Sequence, residues 1–128
     1  MRRRTVLRFM RRASGLTVIG LVAACGRQPG YEPQLAGDVE RGRAAIAHFE
    51  CGACHVVPGV AGPRGQVGPA LGGFRDSVYI AGRFPNTPDM LARWVREAPA
   101  MAPESAMPEF DMTDAQARDV VAYLYSLR

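Results

Sequence analysis

Three stretches of the chain place their apolar residues at helical spacing, and the first lies near residues 38–49. Its apolar positions Val39, Gly42, Ile46 and Phe49 recur every three or four residues. This spacing puts them on one stripe of an amphipathic helix. The pattern therefore predicts a first helix that packs one face against the rest of the fold.

The second and third helices carry start signals as well as apolar stripes. The second opens with Thr87 as its N-cap and Pro88 at the first helical position. The third opens with Thr113 and Gln116 in the spacing of a capping box. Their predicted buried positions are Leu91, Trp94, Val95 and Ala98 in the second helix, and Ala117, Val120, Val121, Leu124 and Leu127 in the third.

The stretch between the first two helices, residues 56–86, is rich in glycine and proline and shows no clear periodicity. An irregular segment of that length is uncommon inside a compact domain. It is explained if something other than side chains fills the middle of the fold. The sequence thus predicts an all-α domain, residues 37–128, with three to four helices around a bound group.

The N-terminal segment has a different composition from the predicted domain. Six arginines fall in the first twelve residues, and a short apolar run at residues 16–24 ends at Cys25. A run this short cannot span a bilayer, and the order of regions is typical of an export signal. The small residues before Cys25 resemble a bacterial lipobox. We expect a signal peptide at residues 1–24 and a lipid-anchored Cys25; the alternative is an ordinary signal peptide that leaves Cys25 as a free thiol.

Removal of this segment changes the charge of the protein. The whole chain has 16 basic and 12 acidic residues, a formal charge of +4, and its basic residues are all arginine. After residues 1–24 are removed, ten arginines face twelve acidic residues, which gives −2. Nucleic-acid binding therefore has no support. Residues 25–36, with their prolines and glycines, are expected to form a flexible linker.

The chemistry of the chain centres on Cys51, Cys54 and His55, which form a Cys-x-x-Cys-His motif. This is the attachment pattern of a c-type haem, with two thiols for the vinyl groups and an imidazole for the iron. A dithiol redox site normally follows a strand, and the residues before Cys51 read as helix. A zinc site needs four ligands, so His48 would have to bind the ion together with these three residues in one short stretch of chain.

A haem iron bound by His55 has a further ligand position. His48 is close in sequence to Cys51, on the same local segment, so it is poorly placed to reach the opposite face. Three methionines, Met101, Met107 and Met112, are alternatives. Met107 is favoured because it directly precedes a proline, which stiffens the chain that carries the thioether.

These features resemble class I monohaem c-type cytochromes over about residues 37–128. The resemblance is carried by the following residues: Gly42, Ile46, Cys51, Cys54, His55, Gly68, Pro69, Leu71, Met107, Pro108 and the run at 120–124. It implies that the Pro69 carbonyl accepts the second N–H of His55, that Leu71 belongs to the haem pocket, and that Gly42 packs against Tyr123.

A closer resemblance is to the cytochrome c domain of haem–copper oxidase subunit II, carried by residues 79–88 with Leu91 and Trp94. It implies Tyr79, Arg83 and Trp94 as contacts of the haem propionates. The chain lacks the copper-binding cysteine pair and the transmembrane hairpin of those subunits, so the oxidase role does not transfer.

The expected function is therefore one-electron transfer by a His/Met-ligated haem c, with no enzymatic activity of its own. We expect a monomeric, lipid-anchored protein that faces the periplasm, or lies on the outer face of the cell membrane, and serves membrane-bound redox partners. Two alternatives remain open: a dedicated cytochrome subunit of a membrane dehydrogenase or terminal oxidase, and a thiol–disulfide oxidoreductase.

Overall fold

The computed structural model describes residues 35–128, and the predicted signal segment and Cys25 lie outside them. Three helices account for most of the ordered structure: α1 is Val39–His48, α2 is Pro88–Met101 and α3 is Asp114–Ser126. Two 3-10 turns, Cys51–Ala53 and Phe74–Asp76, lie between α1 and α2. Strands β1 (Tyr79–Ile80) and β2 (Phe84–Pro85) pair antiparallel in a small hairpin that the sequence did not predict. The predicted all-α fold is confirmed.

The start of each helix follows from a local capping signal. The side chain of Asp38 accepts from the N–H of Arg41 at 2.8 Å and begins α1. Thr87 caps α2, with a proline in its first turn. Thr113 and Gln116 satisfy each other's backbone N–H groups at the start of α3, so the predicted capping box is confirmed.

Helices α1 and α3 cross at Gly42. A Cβ atom on Gly42 would lie 1.9 Å from the carbonyl oxygen of Asp119 and 2.9 Å from the Cβ of Tyr123. Only a hydrogen fits in that space, so the implied packing of Gly42 against Tyr123 is present. One turn further along α1, Ile46 is only 1% exposed. This crossing brings the end of α1 to the centre of the fold.

The prediction that Val39 packs on the inner face of α1 was wrong, because its side chain is 38% exposed. The first turn of α1 is held by polar groups instead. The carboxylate of Asp119, itself buried, accepts the N–H of Asp38 at 2.7 Å and two N–H groups of Arg41 at 2.8 and 3.0 Å. The Arg41 guanidinium lowers the pKa of this carboxyl group. Polar contact therefore replaces apolar packing at this end of the helix.

Helix α2 buries the predicted face of Leu91, Trp94, Val95 and Ala98. Its backbone departs from helical geometry at Glu97, where φ is −132° and ψ is 40°. Pro99, two residues later, has no N–H to donate within the helix. Next to this kink, the carbonyl oxygen of Arg96 accepts the N–H of Phe110 at 2.9 Å. The kink thus ties the segment after α2 back onto the helix.

Helix α3 lies at the centre of the fold and buries more than its predicted stripe. The four residues 122–125 are all buried, whereas Leu127 is only half-buried. The hydroxyl of Tyr125 donates to the side-chain oxygen of Asn86 at 3.0 Å. The amide of Asn86 donates in turn to the carbonyl oxygens of Ser77 (2.8 Å) and Phe74 (3.1 Å). The long connection between α1 and α2 is therefore fixed to α3.

Candidate haem site

A cleft of about 490 Å³ opens beside the Cys51–Ala53 turn, and a smaller cavity of about 130 Å³ adjoins it deeper in the core. The larger volume falls within the range of cofactor pockets. The two spaces share seven lining residues, most of them apolar: Cys51, His55, Pro69, Ala81, Trp94, Met107 and Phe110. The middle of the fold is thus a hollow, as the glycine-rich connection predicted.

The chain enters the cleft wall through a sharp turn after α1. Glu50 adopts a left-handed conformation, with φ of 53°, and directs the chain into the 3-10 turn. The turn closes when the N–H of His55 donates to the carbonyl oxygen of Cys51 at 3.0 Å. This turn brings Cys51, Cys54 and His55 together in the wall of the larger cleft. The two thiols are free rather than joined to each other.

The imidazole of His55 is oriented from behind. Its Nδ1 lies 2.7 Å from the carbonyl oxygen of Pro69. A carbonyl oxygen can only accept a hydrogen bond, so Nδ1 carries the proton and Nε2 keeps its lone pair for a metal. Gly68 leaves room for the ring, because a Cβ there would lie 2.2 Å from Cε1 of His55. The arrangement is the one that the resemblance implied for Pro69.

The glycines of the following loop allow close backbone contact with the haem-attachment turn. The N–H groups of Gly65, Gly68 and Leu71 donate to the carbonyl oxygens of residues 52, 54 and 56, each at 2.9 Å. A Cβ on Gly65 would lie 2.0 Å from the carbonyl oxygen of Ala53. These bonds hold His55 and the Pro69 carbonyl at a fixed separation. Leu71 is buried and lines the smaller cavity.

The three candidate methionines occupy different places. Met107 is half-buried and lines both cavities. Its N–H donates to the hydroxyl oxygen of Ser105 at 3.1 Å. Met112 is buried and lines only the smaller cavity, and Met101 packs against the core without lining either one. His48 is exposed and lines neither cavity, and its ring packs edge to face with that of Phe49.

The structure brings two of the three expected propionate contacts to the cleft. Trp94 lines both cavities and packs against Phe84, with ring centroids 5.7 Å apart. Arg83 lines the larger cleft, where its guanidinium pairs with Glu104. Tyr79 is 58% exposed and lines neither cavity. The reason is strand geometry: Ile80 points into the core, so its neighbour in β1 points outward.

Phe110 and Glu104 are among the cleft residues that sequence reasoning did not single out. The ring of Phe110 meets Phe49 edge to face, with centroids 5.8 Å apart. The pair closes one end of the cleft between the Cys51–Ala53 turn and the loop that carries Met107. Proximity in sequence to Met107 was the only available signal for either residue.

The donor atoms in the cleft fit a haem better than the alternatives. Two free thiols and an imidazole nitrogen with a free lone pair share an apolar space with a thioether sulfur. Over residues 35–128 there is no group of three or more His, Cys, Asp and Glu side chains that could hold a metal ion by itself. Burial raises the pKa of the Cys51 thiol, whereas reactive dithiols have lowered values.

Within the same described part of the chain, no helix has both the length and the apolar character needed to cross a membrane.

Comparison with known proteins agrees with this geometry. The family model for cytochrome c matches residues 39–128. The chain is also 30% identical over 89 residues to cytochrome c oxidase subunit 2 of Alkalihalophilus pseudofirmus. That match covers 69% of this chain but spans only about a quarter of the relative's length. Cytochromes c bind haem c covalently. In this chain the two cysteines and the histidine of the Cys-x-x-Cys-His motif line the cleft. The chain belongs to the cytochrome c family.

Proposed function

We propose that this cytochrome c is a membrane-tethered one-electron carrier of a respiratory or related periplasmic chain, with His55 and Met107 as its iron ligands. The observation that carries the proposal is the cleft in which Cys51, Cys54, His55 and Met107 meet. Haem c bound there supplies a one-electron Fe(III)/Fe(II) couple. The chain's own residues set how stable each oxidation state is.

Two features of the cleft favour a high reduction potential, and a third opposes it. A thioether is a soft ligand, so Met107 would favour Fe(II) over Fe(III). The apolar walls around Trp94 and Phe110 disfavour the additional positive charge of Fe(III). The Pro69 carbonyl acts in the other direction, because its hydrogen bond to Nδ1 makes the His55 imidazole a stronger electron donor to the iron. With two protein ligands the iron has no open position for oxygen chemistry, which supports a carrier rather than an enzyme.

Covalent attachment is tested by mass and colour. The protein made in a host that matures c-type cytochromes is expected to carry the mass of one haem and to keep its colour after denaturation. The Cys51→Ala/Cys54→Ala variant is expected to lose both properties. A wild-type mass without haem, or colour that survives denaturation of the double variant, would overturn the proposal.

The tether rests on Cys25, which lies outside the described residues. Lipidation of a cysteine that becomes the first residue adds at least two acyl chains, and two chains give stable membrane attachment. Residues 26–36 would then span roughly 18 Å as a flexible coil or roughly 34 Å as polyproline II. The haem domain would stay close to the bilayer, where the effective concentration of membrane-bound partners is high.

The tether is tested with Cys25→Ser. The variant is expected to be soluble and haem-loaded, with an unchanged potential, and to reduce or oxidise its membrane partner more slowly at equal total concentration. Equal turnover of the wild-type and variant proteins in reconstituted vesicles would show that the tether has no kinetic role. A variant that still sediments with membranes would show that the protein is held by another chain.

The second candidate, a dedicated subunit of an oxidase or dehydrogenase complex, is favoured by one observation. The relative that the chain matches is an oxidase subunit. Val78 and Tyr79, exposed side by side at the hairpin, offer apolar surface outside the haem cleft for such a contact. Solubilisation of native membranes with mild detergent distinguishes the two: a carrier separates alone, whereas a subunit co-elutes with its larger partner.

A further inference from the structure

The loop that carries Met107, residues 102–113, connects α2 to α3 across the mouth of the larger cleft, and we call it the Met107 loop. Its first residue is hydrogen-bonded to the end of α2, where the N–H of Ala102 donates to the carbonyl oxygen of Ala98 at 2.8 Å. Its far end is held to α2 by the bond from Phe110 to Arg96 and by the ion pair of Arg96 with Asp114. Both attachments lie on the α2 side of the cleft.

One ion pair joins the Met107 loop to the wall formed by the β1–β2 hairpin. The Glu104 carboxylate pairs with the guanidinium of Arg83, which lies at the turn of the β1–β2 hairpin. Both residues line the larger cleft, together with Met107. The ion pair therefore bridges the mouth of the cleft, three residues from the thioether. Both side chains are more than half exposed, and neither residue caps a helix.

We propose that Glu104 is a positioning residue. Its ion pair with Arg83 holds the Met107 loop over the cleft, so that the thioether stays against the iron and external ligands are kept out. The inference rests on the proposed ligation by Met107. It also gives Arg83 a role other than the propionate contact that the family resemblance implied.

The size of the effect follows from the exposure of the pair. The side chains of Arg83 and Glu104 are 55% and 64% exposed, so solvent and salt screen their attraction. Exposed pairs of this kind change a local equilibrium by up to about fivefold. The loop should therefore open more often without the pair, by roughly two- to fivefold, while the domain stays folded.

The test uses the haem-loaded protein and imidazole as a neutral probe that competes with Met107 for Fe(III). Glu104→Gln and Arg83→Gln are each expected to raise the affinity for imidazole roughly two- to fivefold. The charge-swapped variant Arg83→Glu/Glu104→Arg should restore the wild-type affinity. In the wild type, added salt should raise the affinity, and in Glu104→Gln this dependence should be lost. Glu40→Gln is the matched control, because Glu40 is an exposed carboxylate paired with Arg43 that does not line the cleft.

A purely electrostatic role would give a different result. Removal of a negative charge at Glu104 and of a positive charge at Arg83 would then shift the reduction potential in opposite directions and leave imidazole affinity unchanged. If Arg83 acted only on a haem propionate, Arg83→Gln would change the affinity for imidazole and Glu104→Gln would not. Either pattern would overturn the proposal.

Hydrogen exchange separates this proposal from the ligation on which it rests. In Glu104→Gln the N–H of Ser105, which donates to Ala102 at 2.9 Å, should exchange roughly two- to fivefold faster. The N–H of Gly68, bonded to Cys54 on the other wall, is the internal reference and should not change. If the iron ligation stayed intact in Met107→Ala, the proposed ligation by Met107 would be wrong. Faster exchange at Ser105 in Glu104→Gln would still support the proposal that the ion pair holds the loop. Unchanged exchange of the Ser105 N–H in Glu104→Gln would overturn the proposal that the ion pair holds the loop.

Discussion

Substitution of Gly68 by alanine tests how the fold orients the proximal imidazole. The added Cβ would lie 2.2 Å from Cε1 of His55, 2.5 Å from Nδ1 and 2.8 Å from Nε2. Ordinary contact begins at about 3.4 Å, so either the ring or the loop must move by roughly 1 Å. The loop is held by the bond from the Gly68 N–H to the Cys54 carbonyl oxygen. The ring is therefore expected to move, and its 2.7 Å bond to Pro69 is expected to weaken.

Gly68→Ala is expected to change two quantities, the folding stability and the reduction potential. Overpacking at a rigid site costs about 1–3 kcal/mol of folding stability. The bond between His55 and Pro69 makes the imidazole a stronger electron donor to the iron and thereby stabilises Fe(III), so loss of this bond should raise the potential. A hydrogen bond is worth at most about 1.5 kcal/mol net, and this limits the rise to roughly 60 mV for one electron. Denaturant unfolding and redox titration of the haem-loaded variant measure these two quantities.

Gly72→Ala is the matched control. A Cβ on Gly72 would meet the Cγ of Pro58 at 3.4 Å, an ordinary contact. This variant should keep the wild-type stability and potential. If Gly68→Ala behaves like Gly72→Ala in both measurements, the imidazole is not confined by this loop and the reasoning fails.

Three further predictions concern the frame around α3. Gly42→Ala should destabilise the haem-loaded protein by about 3 kcal/mol, because its Cβ would meet the Asp119 backbone, and denaturant unfolding measures this. Tyr123→Phe removes the hydrogen bond to the Pro58 carbonyl oxygen and should cost about 1 kcal/mol in the same assay. Asp119→Asn should cost about 1–2 kcal/mol at pH 7. Because Arg41 lowers the pKa of Asp119, this stabilisation is present above the unfolded value of about 3.9 and is lost as pH falls through the folded value. The gap between wild type and Asp119→Asn should therefore close on acidification, and a constant gap would contradict the assignment.

The features that the sequence predicted correctly depend on nearby residues. The caps at Thr87 and Thr113 act within one helical turn, so a few residues specify each of them. The buried face of α2 follows from spacing alone. The Cys-x-x-Cys-His motif is equally local, since one turn of chain brings its two thiols and its imidazole to the cleft. The attachment of haem to these residues stays a prediction.

The features that the sequence did not predict depend on contacts between distant segments. Asp119 is buried because Arg41 and the N–H of Asp38, about 80 positions away, meet its carboxylate. The same contacts leave Val39 exposed, against its apolar spacing. Tyr79 points away from the cleft because it lies in a hairpin of two short strands that fixes its direction. No pattern in residues 79–85 predicts that hairpin.

The choice among three methionines was narrowed by a local signal, the proline after Met107. In the structure Met107 lines both cavities with His55, Met112 lines only the smaller cavity and Met101 lines neither. Ligation by Met107 stays a prediction, and its position supports it. The sequence alone could not show these positions, since the path of residues 102–113 is set by their attachment to α2.

The charge-transfer band of the Fe(III)–thioether bond tests the central claim most directly. The band is expected in the oxidised wild-type protein, in Met101→Ala and in Met112→Ala. It should be absent from Met107→Ala, whose potential should also fall because a soft ligand of Fe(II) is lost. A Met107→Ala protein that keeps the band, or a Met101→Ala protein that loses it, would contradict the account.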